Sequence, residues 1–264
     1  MSEVTDERGV RIDYVVDGAG RSALVLHGAY STRDEVRAAF GPVLAARGRR
    51  GVYPDLPGMG ASRPTTARTT DDVLGALDAL VAAAFGDEDF VVIGHSYGAH
   101  LAAGVAVRHP TRVRGLALCS PLVDDFEAAP HRVVLDDGRL NELDEDVRGA
   151  FTGYFVVRTE RTRKAFEQAV RPSLDRADDE AVDRVMTASA RTPDPEQAPF
   201  AGPALLLLGR DDDFIGWRAQ MRLGMAIPRA TVVVVDGAGH ALPHERPELV
   251  RTAVEDWLDR VELS

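Results

Sequence analysis

The chain has a single cysteine among 264 residues, so no internal disulfide can form and the disulfide-scaffold class is excluded. Lysine is almost absent: Lys164 stands alone among arginines. A Walker-type phosphate loop or a Schiff-base enzyme would have to use it. Its surroundings, Arg161-Thr162-Arg163-Lys164-Ala165-Phe166, contain no Gly-rich loop and read as a helix surface. Aromatics are only 6%, which leaves the core to Ala, Val and Leu. No run approaches the ~18 apolar residues that a spanning helix needs. The N-terminus is charged from Glu3 onward and lacks an apolar signal-peptide region. Positive charge is also short, with 31 Lys and Arg against 42 Asp and Glu and a formal net charge of −11. Such a surface repels phosphate backbones and anionic headgroups, so nucleic-acid and membrane partners are disfavoured. The expectation is a soluble, acidic, cytoplasmic globular protein.

What is present is an alternation. Short apolar runs at Ala23–His27, Gly51–Pro54, Phe90–Gly94, Val113–Cys119, Ala204–Gly209 and Thr231–Asp236 are bounded by Gly, Pro or charge, as strands buried on both faces are. Val10–Val16, followed by Asp17-Gly18, reads as an antiparallel edge strand. Segments of helical period lie between them. Thr70 is placed to cap a helix with Val73, Leu74, Leu77, Leu80, Val81 and Ala84 on one stripe. Ser31 or Thr32 opens another helix that ends near Gly48, and Pro247–Val261 forms the last. The pattern predicts an α/β fold: a mostly parallel sheet of about eight strands, helices on both faces and right-handed crossovers. The alternation breaks once, from Leu122 to Pro199, a charged stretch with helices expected at Glu142–Val157, Arg161–Val170 and Asp179–Ala190. So long a segment is not plain loop. It reads as a helical cap (122–199) inserted after strand six into a core made of 1–121 and 200–264.

One constellation carries chemistry. Gly94-His95-Ser96-Tyr97-Gly98 follows an apolar strand and precedes an Ala-rich helical stretch. Glycines on both sides leave room for a strained strand-to-helix turn that presents a serine hydroxyl beside backbone N–H groups at a helix N-terminus. That hydroxyl needs a base, and the base needs an orienting acid. His240, in Gly237-Ala238-Gly239-His240, lies just past the last strand, where the chain reaches the carboxyl edge at which ligands gather in α/β sheets. The acid is expected after the preceding strand, in Gly209-Arg210-Asp211-Asp212-Asp213, with Asp212 preferred; Asp124 or Asp125, after strand six, is the rival. Adjacent carboxylates repel, so at least two of the three should face solvent or pair with arginine. An oxyanion hole needs two N–H donors. Tyr97 and Ala29, the latter in His27-Gly28-Ala29-Tyr30, are the candidates, and His27 reads as a structural histidine bonding nearby loops.

The order Ser96, Asp212, His240 resembles that of the α/β-hydrolase fold superfamily, in its serine-nucleophile branch with a helical cap. Four motifs fall where that family has them: His27-Gly28, the segment Asp55-Leu56-Pro57-Gly58-Met59-Gly60-Ala61-Ser62, the Gly94–Gly98 elbow, and Gly239-His240 before His244-Glu245-Arg246-Pro247-Glu248. The resemblance covers roughly 10–121 and 200–262 and does not extend to the cap. A serine nucleophile argues against the haloalkane dehalogenase and epoxide hydrolase branches, which use aspartate. The resemblance implies a serine hydrolase that cleaves a small or medium ester, thioester or lactone through an acyl-enzyme, without a cofactor. Carbon–carbon bond hydrolysis, hydroxynitrile lysis, perhydrolysis and acyl transfer are alternatives with the same triad; a non-catalytic small-ligand binding protein is a third reading.

Other features weigh less. Gly58-Met59-Gly60 is not a dinucleotide fingerprint, since Arg63 stands where the third glycine belongs. His95 and His100 lack metal-ligand spacing and HExxH is absent, so no metal is expected. Arg158, Arg161, Arg163 and Lys164 read as a solvated face paired with acids. Tyr30 and Tyr154 are candidate substrate contacts, Trp217 reads first as a core residue and second as such a contact, and some of Phe126, Phe151, Tyr154, Phe155 and Phe166 should roof an apolar pocket.

Overall fold

The computed structural model describes residues 2–124, 127, 130, 132–138, 143–187 and 200–264. In chain order the strands are β1 (Ser2–Thr5), β2 (Arg11–Asp17), β3 (Arg21–Leu26), β4 (Arg49–Pro54), β5 (Phe90–His95), β6 (Val113–Cys119), β7 (Leu135–Asp136), β8 (Val157–Arg158), β9 (Ala204–Gly209) and β10 (Ala230–Val235). The helices are α1 (Arg33–Ala46), α2 (Thr70–Phe85), α3 (Tyr97–Arg108), α4 (Glu145–Tyr154), α5 (Glu160–Ala165), α6 (Asp179–Thr187), α7 (Trp217–Ala226), α8 (Leu242–Glu245) and α9 (Pro247–Glu262).

Eight strands form one sheet in the order β1-β2-β4-β3-β5-β6-β9-β10. It is parallel from β4 onward, with β1 and β2 antiparallel at one edge. The α/β architecture is the expected one, and its outermost strand, β1, lies in the charged N-terminus, where alternation gives no signal. Successive side chains of a strand face opposite sides. Leu24, Val92, Leu116 and Leu206 enter one core layer with α2, α3 and α7. Ala23, Val91, Ala117 and Leu205 enter the other with α1 and α9. Both faces are therefore buried, which is why these strands read as continuous apolar runs.

Helix ends depart slightly from expectation. Thr69, not Thr70, caps α2: its hydroxyl accepts from Asp72 N–H while the Asp72 carboxylate accepts from Thr69 N–H, a reciprocal pair that satisfies two orphan donors. α7 has no counterpart in the sequence reading, because Gly224 interrupts its helix formers. There the glycine lets the helix approach β10, since a Cβ would press on Val232.

Between β6 and β9 the chain leaves the sheet. Within the expected helix Glu142–Val157, α4 covers Glu145–Tyr154, Val157 joins the two-residue pair of β7 with β8, and Glu142 lies outside the described residues. The expected helix over Arg161–Val170 is α5 followed by a wider turn, Phe166–Val170. α6 stops at Thr187, and 188–199, including Pro193, Pro195 and Pro199, lie outside the described residues. Leu143, Phe151, Phe155, Phe166 and Val170 form a separate apolar cluster that touches the sheet-bearing part through Ala241, next to His240. Among the described residues no helix is long and apolar enough to cross a membrane.

Candidate active site

β3, β5, β6, β9 and β10 run parallel, so their carboxyl ends and the loops beyond them meet along one edge. Ser96 sits in the turn between β5 and α3, with φ 55° and ψ −120°. A non-glycine residue held there costs on the order of 1–3 kcal/mol, which the surroundings must offset. They do so by close backbone packing. A Cβ on Gly94 would overlap Gly98 O, and one on Gly98 would overlap the carbonyls of Leu26 and His27. Ser96 N–H donates to Cys119 O at 3.0 Å, which ties the turn to β6.

His240 and Asp212 come from the loops after β10 and β9. These loops pack as tightly, for a Cβ on Gly209 would overlap Gly239 O. His240 Nδ1 lies 3.0 Å from Asp212 Oδ2, and both side chains are buried. Asp212 Oδ1 accepts from Phe214 and Ile215 N–H, each at 3.0 Å, and Gln220 Nε2 donates to Oδ2 at 3.1 Å. Burial pushes the Asp212 carboxyl up, but the His240 charge and these hydrogen bonds outweigh it and leave it at about 2. It therefore stays ionised, so Nδ1 carries the proton it donates and Nε2 is the nitrogen left to accept one. Burial lowers the His240 imidazole, but the charge and hydrogen bond of Asp212, with the charges of Glu35 and Asp213, outweigh it, and the net shift is upward. His95 lies under the ring at 5.1 Å, its Nε2 3.0 Å from His240 O, where it donates. Burial and the neighbouring His240 push His95 down to about 4, so it is neutral.

The structure thus brings Asp212, His240 and Ser96 to one place. Asp124 is exposed, and Asp125 lies outside the described residues. Of the other two acids, Asp211 pairs with Arg132 at 3.1 Å and accepts from Gly237 N–H. Ser96 and His240 line a cavity of about 500 Å³, together with Gly28, Ala29, Tyr30, Tyr97 and Tyr154. Tyr97 opens α3, whose N-terminus favours negative charge. Tyr30 is 44% exposed at the mouth, and its hydroxyl donates to Asp183 of α6. Trp217 does not line this cavity. It packs against the core and under Arg210 and Arg218, because it begins α7 on the far side of the acid loop. Phe214 takes the expected place, stacked 4.9 Å from the His240 ring. Phe166 and Tyr154 line the cavity, Phe151 and Phe155 pack behind them, and Phe126 lies outside the described residues.

Three further expectations resolve plainly. His27 is structural: its Nδ1 donates to Gly28 O at 2.7 Å and its Nε2 accepts from Leu56 N–H at 2.9 Å. The segment after β4 folds around buried Asp55, which accepts from Arg33 and Ala61 N–H. Lys164 pairs with Glu160 and Arg163 with Glu167, whereas Arg158 and Arg161 donate to backbone carbonyls. Sequence reasoning missed Glu35, Phe214 and Gln220. An aromatic beside an acidic run was a usable signal for Phe214. Glu35 gave none, because it lies roughly a third of a turn off the apolar stripe of α1.

The fold and this geometry define an α/β hydrolase. Residues 23–253 match the model of the Alpha/beta hydrolase family, so the chain belongs to that family and is an enzyme of it. It is 27% identical to a 2-hydroxymuconate semialdehyde hydrolase of Pseudomonas putida, over 95% of this chain and 91% of that one. An alpha/beta superfamily hydrolase from Oenococcus oeni PSU-1 superposes with a TM-score of 0.90 at 23% identity, covering 99% of this chain and 100% of the other. A thermophilic esterase from Thermogutta terrifontis superposes at 0.75 and 24% identity, with 98% of each chain covered. At such identities these two structures speak to the fold alone.

Proposed function

We propose that the chain is a serine hydrolase of small or medium uncharged esters, thioesters or lactones, with 122–199 as a cap over the site. The observation that carries this reading is the Asp212–His240 hydrogen bond, 3.0 Å long, in the wall of the cavity that Ser96 enters from a strained turn. Ser96 Oγ attacks the carbonyl carbon while His240 Nε2 takes its proton. The N–H groups of Ala29 and Tyr97 meet the oxyanion. As the carbonyl reforms, the leaving group departs with the proton from Nε2. Water then gives a proton to Nε2 and its oxygen to the acyl carbon, which releases the acid and returns the proton to Ser96. Neutral His95 is compatible with the imidazolium that forms beside it, since it adds no like charge.

The Pseudomonas putida relative favours a second reading, hydrolysis of a carbon–carbon bond in a substrate of the semialdehyde kind named for that enzyme. Muconate-type substrates carry a carboxylate, and among the described lining residues no Arg or Lys is present to receive one. The ester reading therefore stands first. Labelling with a fluorophosphonate probe and mass mapping tests it without a guess at the natural substrate. Modification at Ser96, abolished in Ser96→Ala, is the expected result; no labelling at any serine overturns it.

A further inference from the structure

One carboxylate in the cavity wall has no part in the mechanism above. Glu35, in the first turn of α1, is 4% exposed and lines the same cavity as Ser96 and His240. Tyr154 Oη donates to its Oε1 at 2.7 Å, His244 Nε2 lies 3.4 Å from the same oxygen, and Ser31 Oγ donates to Oε2. Burial pushes this carboxyl up, but the hydrogen bond and charge of His244 and the Ser31 hydroxyl outweigh it, so it stays ionised well below the usual range. Among the described lining residues it is the one carboxylate. The rest of the wall is largely apolar, with Leu122, Phe166, Val170, Leu174, Met186 and Ile215.

We propose that Glu35 determines specificity: its fixed negative charge in an apolar wall turns away any substrate that carries a carboxylate into the cavity and leaves it to uncharged acyl chains. The inference rests on the ester reading for its substrates, not for its electrostatics. A cavity of about 500 Å³ is roughly 10 Å across, so a carboxylate inside it stays within about 6–10 Å of Glu35. At an effective dielectric of about 20, a bare like charge at that range disfavours binding by roughly 15- to 100-fold, and a positive charge on His244, 3.4 Å from Oε1, reduces this to roughly two- to fivefold.

Ethyl pentanoate and monoethyl glutarate have acyl chains of equal length and differ in a terminal carboxylate. The test is the ratio of their kcat/KM values in three proteins. The expected ratio favours the pentanoate ester in the wild type. It narrows by roughly twofold or more in Glu35→Gln, and it stays at the wild-type value in Tyr154→Phe, which keeps the charge. An unchanged ratio in Glu35→Gln overturns the proposal. A second readout needs neither turnover nor a folded Glu35 variant: calorimetric binding of pentanamide and of glutaric acid monoamide to Ser96→Ala. Preference for the neutral amide by about twofold or more supports the inference, and equal binding of the two overturns it. Failure of the ester reading would show instead as an absence of turnover with this binding preference intact.

Discussion

Replacing Asp212 by asparagine keeps the size of the side chain and changes its hydrogen-bonding sense. The amide oxygen can retain the Phe214 and Ile215 N–H groups, which leaves the NH2 facing Gln220 and His240. Gln220 can adapt, because its Oε1 is buried without a partner and a turn of its amide lets it accept. His240 cannot adapt harmlessly. Its Nδ1 must now accept, so the proton moves to Nε2, the nitrogen that should receive the proton of Ser96. In a triad of this kind the wrong tautomer costs on the order of 10⁴ in kcat, or about 5.4 kcal/mol of barrier. The carboxylate also raises the His240 pKa against burial, which alone would lower it. On the proposed mechanism, activity requires neutral imidazole and is lost as pH falls through that pKa. The acid limb of kcat/KM should therefore lie above that of an ordinary imidazole in the wild type, and the residual limb of Asp212→Asn should move down from it. The assay is ester hydrolysis followed from pH 5 to 9, with a thermal melt to show that the fold survives. A variant that keeps more than a tenth of wild-type kcat, or whose acid limb does not move, would refute Asp212 as the orienting acid.

Two other substitutions probe the scaffold beneath the site. Gly98→Ala places a methyl group against the carbonyls of Leu26 and His27, which cannot move aside without disturbing β3. The expected loss is about 3 kcal/mol, a fall in Tm of roughly 6–12 °C by scanning fluorimetry, and an unchanged Tm would contradict the packing argument. Glu245→Gln acts on the carboxylate that accepts from Val156 N–H at 2.8 Å, Val157 N–H at 2.9 Å and Gly239 N–H at 2.6 Å. One of its oxygens becomes an NH2 that faces a donor, so about 2–3 kcal/mol of stability should go, and kcat should fall because Gly239 precedes His240; intact melting and turnover would count against this tie.

The parts legible in the sequence are those in which the backbone itself is constrained. Gly94 and Gly98 are glycines because neighbouring carbonyls occupy the space of a Cβ, and Ser96 between them is thereby fixed at the edge of the sheet. The strands through Val92, Leu116 and Leu206 are legible because burial on both faces removes polar residues. What was not legible depends on contacts between distant segments. Glu35 looks like a solvated first-turn acid of α1, and it is buried only because Tyr154 and His244, far along the chain, close over it. Trp217 starts α7 packed on the core, the role its sequence reading put first, whereas Phe214, nearer Asp212 along the chain, was passed over.

The same division separates chemistry from selectivity. The loops of Asp212 and His240 touch at Gly209, and the turn of Ser96 is packed on β3 at Gly98 and joined to His240 through His95 Nε2, so side-chain changes in the walls should leave their relative positions in place. About half of the lining comes from the segment between β6 and β9, with Tyr154, Phe166 and Val170 meeting Glu35 and Phe214 from the sheet-bearing part. One of the ties that hold that segment down is Glu245, whose carboxylate accepts from β8 and from Gly239 at once. A change in the position of β8 is therefore transmitted to the residue preceding His240. Selectivity in this enzyme should be adjustable in the apolar wall around Phe166 at little cost to turnover, whereas changes near Val156 should alter both.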